Sequence, residues 1–316
     1  MTADPSIPQS ATEAVAGRNL NGQIFVVTGG YSGLGAASSE ALLGAGATVV
    51  VAGRNAKSQA DFAADLRAKG IESSLIDAEA TLDLGSLASV RAFADHIKDR
   101  YDTVHCLMNN AGVMNTPPSK TLDGFEVQFG TNVIGHFLLA KLLAPRTRRQ
   151  VWLSSSGHTL TADPPGDVYS LDNAPRINLD IIDKVDERTY DSWHRYQQSK
   201  LGDILLAKQF PREFEHLTAC AVHPGVVRTN LSRHMSMMTM LRYVWRAITG
   251  RGAPLLTPER GARTQTLCAV MPDEALESGA FYADGGVAQE ANSAKNMDDA
   301  KRLYDYCDRV TRAFQA

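Results

Sequence analysis

Five short runs of apolar, largely β-branched residues recur along the chain: Ile24–Thr28, Thr48–Ala52, Val104–Asn109, Val151–Ser155 and Thr218–His223. They are continuous rather than alternating. Strands look like this when both faces of a parallel sheet are covered. Between them, residues 33–43, 57–69, 86–100, 124–144 and 190–215 carry apolar positions at helical spacing. This alternation predicts an α/β fold, a doubly wound parallel sheet of about seven strands with helices on both faces. No linker divides the pattern, so 19–316 reads as one domain behind a polar, Pro-containing tail, 1–18, expected to be mobile. Two stretches interrupt the rhythm. Residues 158–192 are rich in Pro, Asp and Asn, and residues 230–256 carry Met235, Met237, Met238, Met240, Tyr243 and Trp245. Long insertions at the strand ends of such sheets shape ligand crevices.

Charge narrows the partners. Lys plus Arg is 32 against 35 Asp plus Glu, a formal charge of −3, which gives no reason to expect a nucleic-acid partner. The short cluster Arg146, Arg148, Arg149 reads as a solvated helix end. Cys106, Cys220, Cys268 and Cys307 are far apart and form no CxxC pair, against a metal site or a disulfide framework. A reducing, cytoplasmic setting is the simplest expectation. The N-terminal residues lack the basic-then-apolar pattern of a signal peptide. No apolar run reaches the roughly 20 residues of a bilayer span, so no integral membrane segment is expected.

The first strand runs into Thr28-Gly-Gly-Tyr-Ser-Gly-Leu-Gly35. Gly29, Gly33 and Gly35, with Tyr31, Ser32 and Leu34 between them, would close a tight turn. They would also let backbone N–H groups approach a pyrophosphate at the helix N-terminus. The next strand ends at Gly53-Arg54, where an NAD-preferring site would place a carboxylate. Arg54 instead suits a 2′-phosphate, and so NADP(H) over NAD(H); an ordinary surface arginine is the alternative. Tyr196 and Lys200 are four apart and share one face if the segment is helical. An ammonium beside a phenol lowers its ordinary pKa of about 10, as acid–base work near neutrality requires.

These motifs occur in a telling order: TGGYSGLG (28–35), Asp83-Leu84, NNAG (109–112), Asn132, Ser154-Ser155, YQQSK (196–200) and HPGVVRTNL (223–231). Together, over residues 22 to about 285, the chain resembles the short-chain dehydrogenase/reductase family, which implies a single-domain Rossmann fold. DLGSLASVRAFA (83–94), QFGTNVIGHFLL (128–139), WLSSSGH (152–158), YDSWHRYQQSKL (190–201) and TPERGA (257–262) extend the likeness to the retinol-dehydrogenase-like and WW-domain-oxidoreductase-like branch. The resemblance implies hydride transfer between NADP(H) and a hydrophobic ketone, aldehyde or alcohol. It assigns Tyr196 the proton transfer, Lys200 the tuning of Tyr196 and the nicotinamide ribose, and Ser155 the substrate oxygen. Asn132 would hold a relay water against Lys200. Asn110, Ala111 and Gly112 would pack beside the adenine ribose, Asp83 and Leu84 would meet the adenine, and Pro224, Gly225, Val227 and Thr229 would bracket the carboxamide.

Alternatives remain at single positions. Asn132 could cap or bend its helix, Ser155 could satisfy local backbone, and Asp83 could be a helix N-cap. His158, His194 and His223 match no catalytic position and read as hydrogen-bonding or surface residues. Asp203 stands where the branch usually has Asn. The Ser155-to-Tyr196 gap is longer than is usual in the family, and its insert could overhang the site or offer a partner surface. Segment 231–256 corresponds to the family's substrate lid; a helix hairpin, or a membrane-surface helix carrying Arg233, Arg242, Arg246 and Arg251, are the other readings. Association as a homodimer or homotetramer would use helices near 124–144 and 190–215. Two other functions stay open: reduction of C=C bonds as in protochlorophyllide reductase, and catalytically silent sensing of NADP(H).

Overall fold

The computed structural model describes residues 7–160, 170–227 and 254–315. Eight strands form one sheet: β1 (Ile24–Thr28), β2 (Thr48–Ala52), β3 (Ile76–Asp77), β4 (Val104–Asn109), β5 (Thr147–Leu153), β6 (Thr218–His223), β9 (Phe281–Ala283) and β10 (Gly286–Val287). A separate small pair joins β7 (Val226–Val227) to β8 (Leu255–Leu256). The order across the main sheet is β3-β2-β1-β4-β5-β6-β9-β10. All neighbours are parallel except β9 and β10. The chain order reverses between β1 and β4. Such a reversal opens a crevice at the carboxyl ends of the strands, where ligands of doubly wound sheets bind.

The two strand faces feed two cores. Val26, Val50, Leu107, Trp152 and Ala221 pack under helices Leu87–Arg100, His136–Leu143 and Ser192–Glu213. Phe25, Val27, Val49, Val51, Met108 and Val222 pack under helices Gly33–Gly44, Ala56–Ala68 and Arg263–Val270. Adjacent residues of one strand serve opposite cores, which is why these runs are apolar throughout.

Four regions depart from the sequence expectation. Residues 7–18 are not a free tail. Ser10 caps a helical turn, Ala11–Ala14, whose Ala11 and Ala14 are buried. Thr12 N donates to Glu259 Oε1 at 2.9 Å, and Arg18 Nη1 to the Val270 carbonyl at 2.8 Å. β5 begins at Thr147 rather than Val151, so Arg149 lies in a strand and is buried instead of ending a helix. Its guanidinium is compensated by the Cys268 and Met271 carbonyls, at 3.0 and 2.7 Å, and by Asp273. The stretch Val127–Arg146 does have the length and mean hydropathy, 1.2, of a membrane span, yet 83% of it is buried in the core. Finally, the described part of the insert packs on the Tyr196 helix, with Asn178 N–H donating to Gln198 Oε1 at 2.6 Å and Ile177 and Ile182 buried. Arg176 there forks onto Asp299 at 2.7 and 2.9 Å.

Asp299 belongs to a C-terminal helix, Met297–Thr311, which buries Ala300, Leu303, Tyr304, Cys307 and Thr311. It packs on helices His136–Leu143 and Ser192–Glu213, which fall in the regions that the resemblance assigns to subunit association. The Tyr304 ring meets Phe137 at 5.0 Å and Phe210 at 5.4 Å. Residues 228–253, with Thr229 and most of the expected lid, lie outside the described residues.

Candidate active site

A cleft of about 220 Å³ opens at the β1/β4 reversal. Of the predicted cofactor residues, Gly29, Tyr31, Ser32, Gly33, Leu34, Arg54, Leu84, Asn110, Ala111 and Gly112 line it, as do Thr28, Ala52, Gly53, Val113, Met114, Thr131 and Leu153. Gly29 and Gly33 take left-handed φ of 67° and 53°. Gly35 stands behind the cleft wall: a Cβ there would collide with the Gly29 carbonyl oxygen and reach 2.6 Å from Asn110 Nδ2. The helix opening at Gly33 has no side-chain cap from Ser32, whereas Ser10, Asn55, Ser86, Asp191 and Asn296 cap theirs. Its first residues, Gly33 and Leu34, line the cleft, where an anion can satisfy the uncapped N–H groups of a helix N-terminus. This cradle fits the pyrophosphate of a dinucleotide.

Gly53 has a reason the sequence did not reveal. The Tyr31 ring occupies the space a side chain would need there. No carboxylate can stand at that position without moving Tyr31, and the next residue, Arg54, is exposed at the cleft edge. Asp83 is near the cleft but not in its lining; one carboxylate oxygen accepts Gly85 N–H at 2.9 Å, and Ser86 is the helix N-cap. Pro224 and Gly225 follow β6. Val227, paired with Leu256, lies beside Leu34: a Cβ on Gly261 would press on both.

Thr28 is a hub that sequence reasoning missed. Its hydroxyl accepts the Asn110 and Ala111 N–H groups, each at 2.9 Å, fixing the turn after β4 to the end of β1. His136 completes the arrangement. Its Nδ1 lies 2.8 Å from the Asn132 carbonyl and its Nε2 2.9 Å from Thr28 Oγ1. With Nδ1–H donating, Nε2 must accept from the hydroxyl of Thr28. Asn132 lies in a π-helical turn, Gly130–Gly135. Its Oδ1 accepts Val113 N–H at 2.9 Å, and its Nδ2 donates to the Val113 carbonyl and Ser199 Oγ, both at 3.0 Å. The side chain therefore braces the loop after Gly112.

The proton-transfer candidates converge beside this loop. Tyr196 and Lys200 share the inner face of helix Ser192–Glu213, with Nζ 5.8 Å from the Tyr196 ring centre. A Cβ placed on Gly157 would lie 3.0 Å from Tyr196 Cε1 and 3.3 Å from Ser155 Oγ, so serine and tyrosine flank the gap that glycine leaves. Lys200 Nζ would be 3.8 Å from a Cβ on Gly112, which lines the cleft; Ser155, Tyr196 and Lys200 themselves stand next to that lining rather than in it. Lys200 Nζ donates to the Leu153 carbonyl at 2.7 Å and to Asp203 Oδ2 at 2.9 Å. Burial draws the ammonium down, but Asp203 and Tyr196 outweigh it and its pKa is raised. Burial pushes the Asp203 carboxyl up to about 7 despite Lys200. The sequence marked Asp203 only as a departure from the branch's usual Asn; the structure brings its carboxylate onto Lys200.

The flanking histidines are structural. His158 Nε2 accepts Ala291 N–H at 3.1 Å, so its Nδ1–H donates to the Ser155 carbonyl at 2.6 Å. His223 Nδ1 accepts Ser156 N–H at 3.1 Å. Burial lowers both pKa values to about 4, and that of His136 to about 3. The unfolded chain thus takes up these protons at higher pH than the folded one. Stability from them is present above about 6.5 and is lost as pH falls toward 4. Asp203 opposes this, since its raised value contributes stability that is lost as pH rises through about 7. These shifts predict an unfolding free energy, measured in urea, that is lower at pH 5 than at pH 7, by roughly 1–2 kcal/mol for each of these histidines before that offset. The loss should shrink in His158→Gln; an unchanged pH slope there would rule out the assignment.

Known proteins share the sequence pattern and the fold. A model of the short chain dehydrogenase family matches residues 23–154. Retinol dehydrogenase 14 of Mus musculus is 34% identical over 300 residues, covering 90% of this chain and 85% of its own. Among solved structures, a protein of uncharacterised function from Mycobacterium paratuberculosis superposes with a TM-score of 0.71 at 29% identity, covering 95% of this chain and 97% of its own. The Pseudomonas aeruginosa RhlG/NADP active-site complex superposes with 0.62 at 23% identity, covering 85% and 97%, which bears on the fold alone. The chain belongs to the short-chain dehydrogenase/reductase family of oxidoreductases. Within that family it is related to the retinol dehydrogenases.

Proposed function

We propose that this oxidoreductase interconverts a hydrophobic ketone or aldehyde and the corresponding alcohol, using NADP(H) in preference to NAD(H). The observation that carries the reading is the meeting of Ser155, Tyr196 and Lys200 beside Gly112, a residue of the cleft that the uncapped helix N-terminus also lines. When bound, the nicotinamide supplies or accepts the hydride. Tyr196 donates its phenolic proton to the carbonyl oxygen, or takes the proton of the alcohol. Ser155 Oγ hydrogen-bonds that oxygen and stabilises its developing charge. Lys200 would hold the nicotinamide ribose. Gly53, closed to side chains by Tyr31, and the exposed Arg54 support the phosphorylated cofactor. Met114 in the cleft wall, and the Trp193 ring 6.3 Å from that of Tyr196, suit an apolar substrate, as the relatives' names suggest.

Titration with NADPH and NADH, followed by turnover of hydrophobic carbonyls, tests the reading. NADPH should bind more tightly. Arg54→Ala should weaken NADPH by about 10–100-fold, the worth of a charge-assisted contact, and leave NADH nearly unchanged. Equal loss for both cofactors would remove Arg54 from the phosphate. Given an enone, the enzyme should form the allylic alcohol; a saturated ketone would mean C=C reduction instead.

A further inference from the structure

The scheme above leaves Asp203 without a role, yet this carboxylate touches the lysine on which the scheme depends. The Asp203 and Lys200 side chains are 3% and 6% exposed, and their charged atoms are 2.9 Å apart. An ammonium has three N–H donors. The Leu153 carbonyl and Asp203 take two of them, which leaves one for the cleft side, where Gly112 and Tyr196 lie. Asp203 is thus nearer to Nζ than the Tyr196 ring is, and in a buried site each charge acts strongly on the next.

The other ionisable groups around the pair do not offset it. From helix His136–Leu143, His136 is held neutral by burial, and Lys141 pairs with Asp308 at 3.2 Å. From the 156–159 turn and β6, His158 and His223 are neutral, and the Cys220 thiol is pushed up by Cys268 and by burial. From the C-terminal helix, Asp299 is matched by Arg176 and Arg302, Lys301 by Asp305, and the Tyr304 phenol and Cys307 thiol are pushed up by burial. Strand β5 meets the pair through the Leu153 carbonyl, and its Arg148 and Arg149 are matched by Asp273.

We propose that Asp203 is a positioning residue that sets the proton affinity of Tyr196 through Lys200. Ionised, it anchors the ammonium and offsets its charge. Tyr196 then keeps its proton over a wider pH range, and the site favours proton donation, the carbonyl-reducing direction. Protonated, it releases the full cationic charge toward Tyr196, which favours the phenolate that alcohol oxidation needs. Because burial brings the carboxyl up to about 7, both states are accessible near neutrality. The inference rests on Tyr196 being the proton-transfer group.

The test separates the two claims. Cofactor-free protein carrying tyrosine labelled with carbon-13 at Cζ is titrated by NMR, and Tyr196→Phe identifies the Tyr196 signal. In Asp203→Asn, which keeps the size and an oxygen acceptor for Lys200, phenolate should form about 1 pH unit lower than in the parent. Asp203→Ser, smaller and uncharged, is carried in parallel in case the Asn variant does not fold, and should move in the same direction. The acidic limb of the pH profile for alcohol oxidation should shift equally in kcat/KM. Tyr196 titrating alike in parent and folded variants overturns the proposal, whatever the substrate proves to be. A shifted NMR titration without carbonyl turnover would keep the coupling and fault the proposed reaction.

Discussion

Tyr196→Phe lowers kcat/KM by about 10²–10⁴-fold while NADPH binding changes little, the expected result if the phenol moves the proton. The ring is buried, stands edge-on to Trp193 at 6.3 Å, and fills the space left by Gly157. Phe keeps the ring and its packing, so the helix Ser192–Glu213 should hold Lys200 where it is. The carbonyl oxygen, gaining negative charge as hydride arrives, then has the Ser155 hydroxyl but no acid of matched pKa. Residual activity from placement and the serine is expected. Single-turnover decay of NADPH absorbance, with binding measured separately by fluorescence, separates chemistry from affinity. A variant within about threefold of the parent would place the proton donor elsewhere. Its loss of cofactor affinity would mean that the tyrosine serves mainly to order the site.

What the sequence disclosed was whatever is local. The bounds of β1, β2, β4 and β6 coincide with the apolar runs because buried parallel strands need no alternation. The glycine turn and the Tyr196–Lys200 spacing were legible for the same reason: each is set by a few neighbouring residues. Contacts across long stretches of chain were not. β3, β9 and β10 are two or three residues long and exist by pairing with a neighbour. Thr28 reads as the last residue of a strand, and only the folded chain brings His136 and Asn110 to its hydroxyl. Gly53 reads as an absent acid, while the Tyr31 ring that excludes one lies in the preceding turn. Arg149 reads as a surface charge and Asp203 as a mere exchange for Asn; their burial is decided by the elements packed over them. The C-terminal helix did carry a readable stripe, Ala300, Leu303, Tyr304, Cys307 and Thr311, at helical spacing. The surface that receives it was not readable, since Phe137 and Phe210 would suit a second subunit equally well.

That helix gives the second large effect. Tyr304→Ala should cost about 3–5 kcal/mol, the usual result of truncating a buried aromatic side chain. Its ring is the common partner of Phe137 and Phe210, in edge-on contacts that add to the area buried. Lys141 Nζ also loses the tyrosine hydroxyl at 2.8 Å, although Asp308 at 3.2 Å still pairs with it. Tyr304→Phe removes only that hydroxyl and should cost about 0.5–1.5 kcal/mol. The contrast distinguishes packing from hydrogen bonding, and urea denaturation of the three proteins measures it. Against a total stability of about 5–15 kcal/mol, the alanine variant should lie near the edge of folding. Freed from the helix, the faces of His136–Leu143 and Ser192–Glu213 become an exposed apolar patch, which invites association. Size-exclusion chromatography should therefore show concentration-dependent larger species for the alanine variant alone. An alanine variant within about 1 kcal/mol of the parent, eluting as the parent does, would mean that the helix is not docked on those two faces.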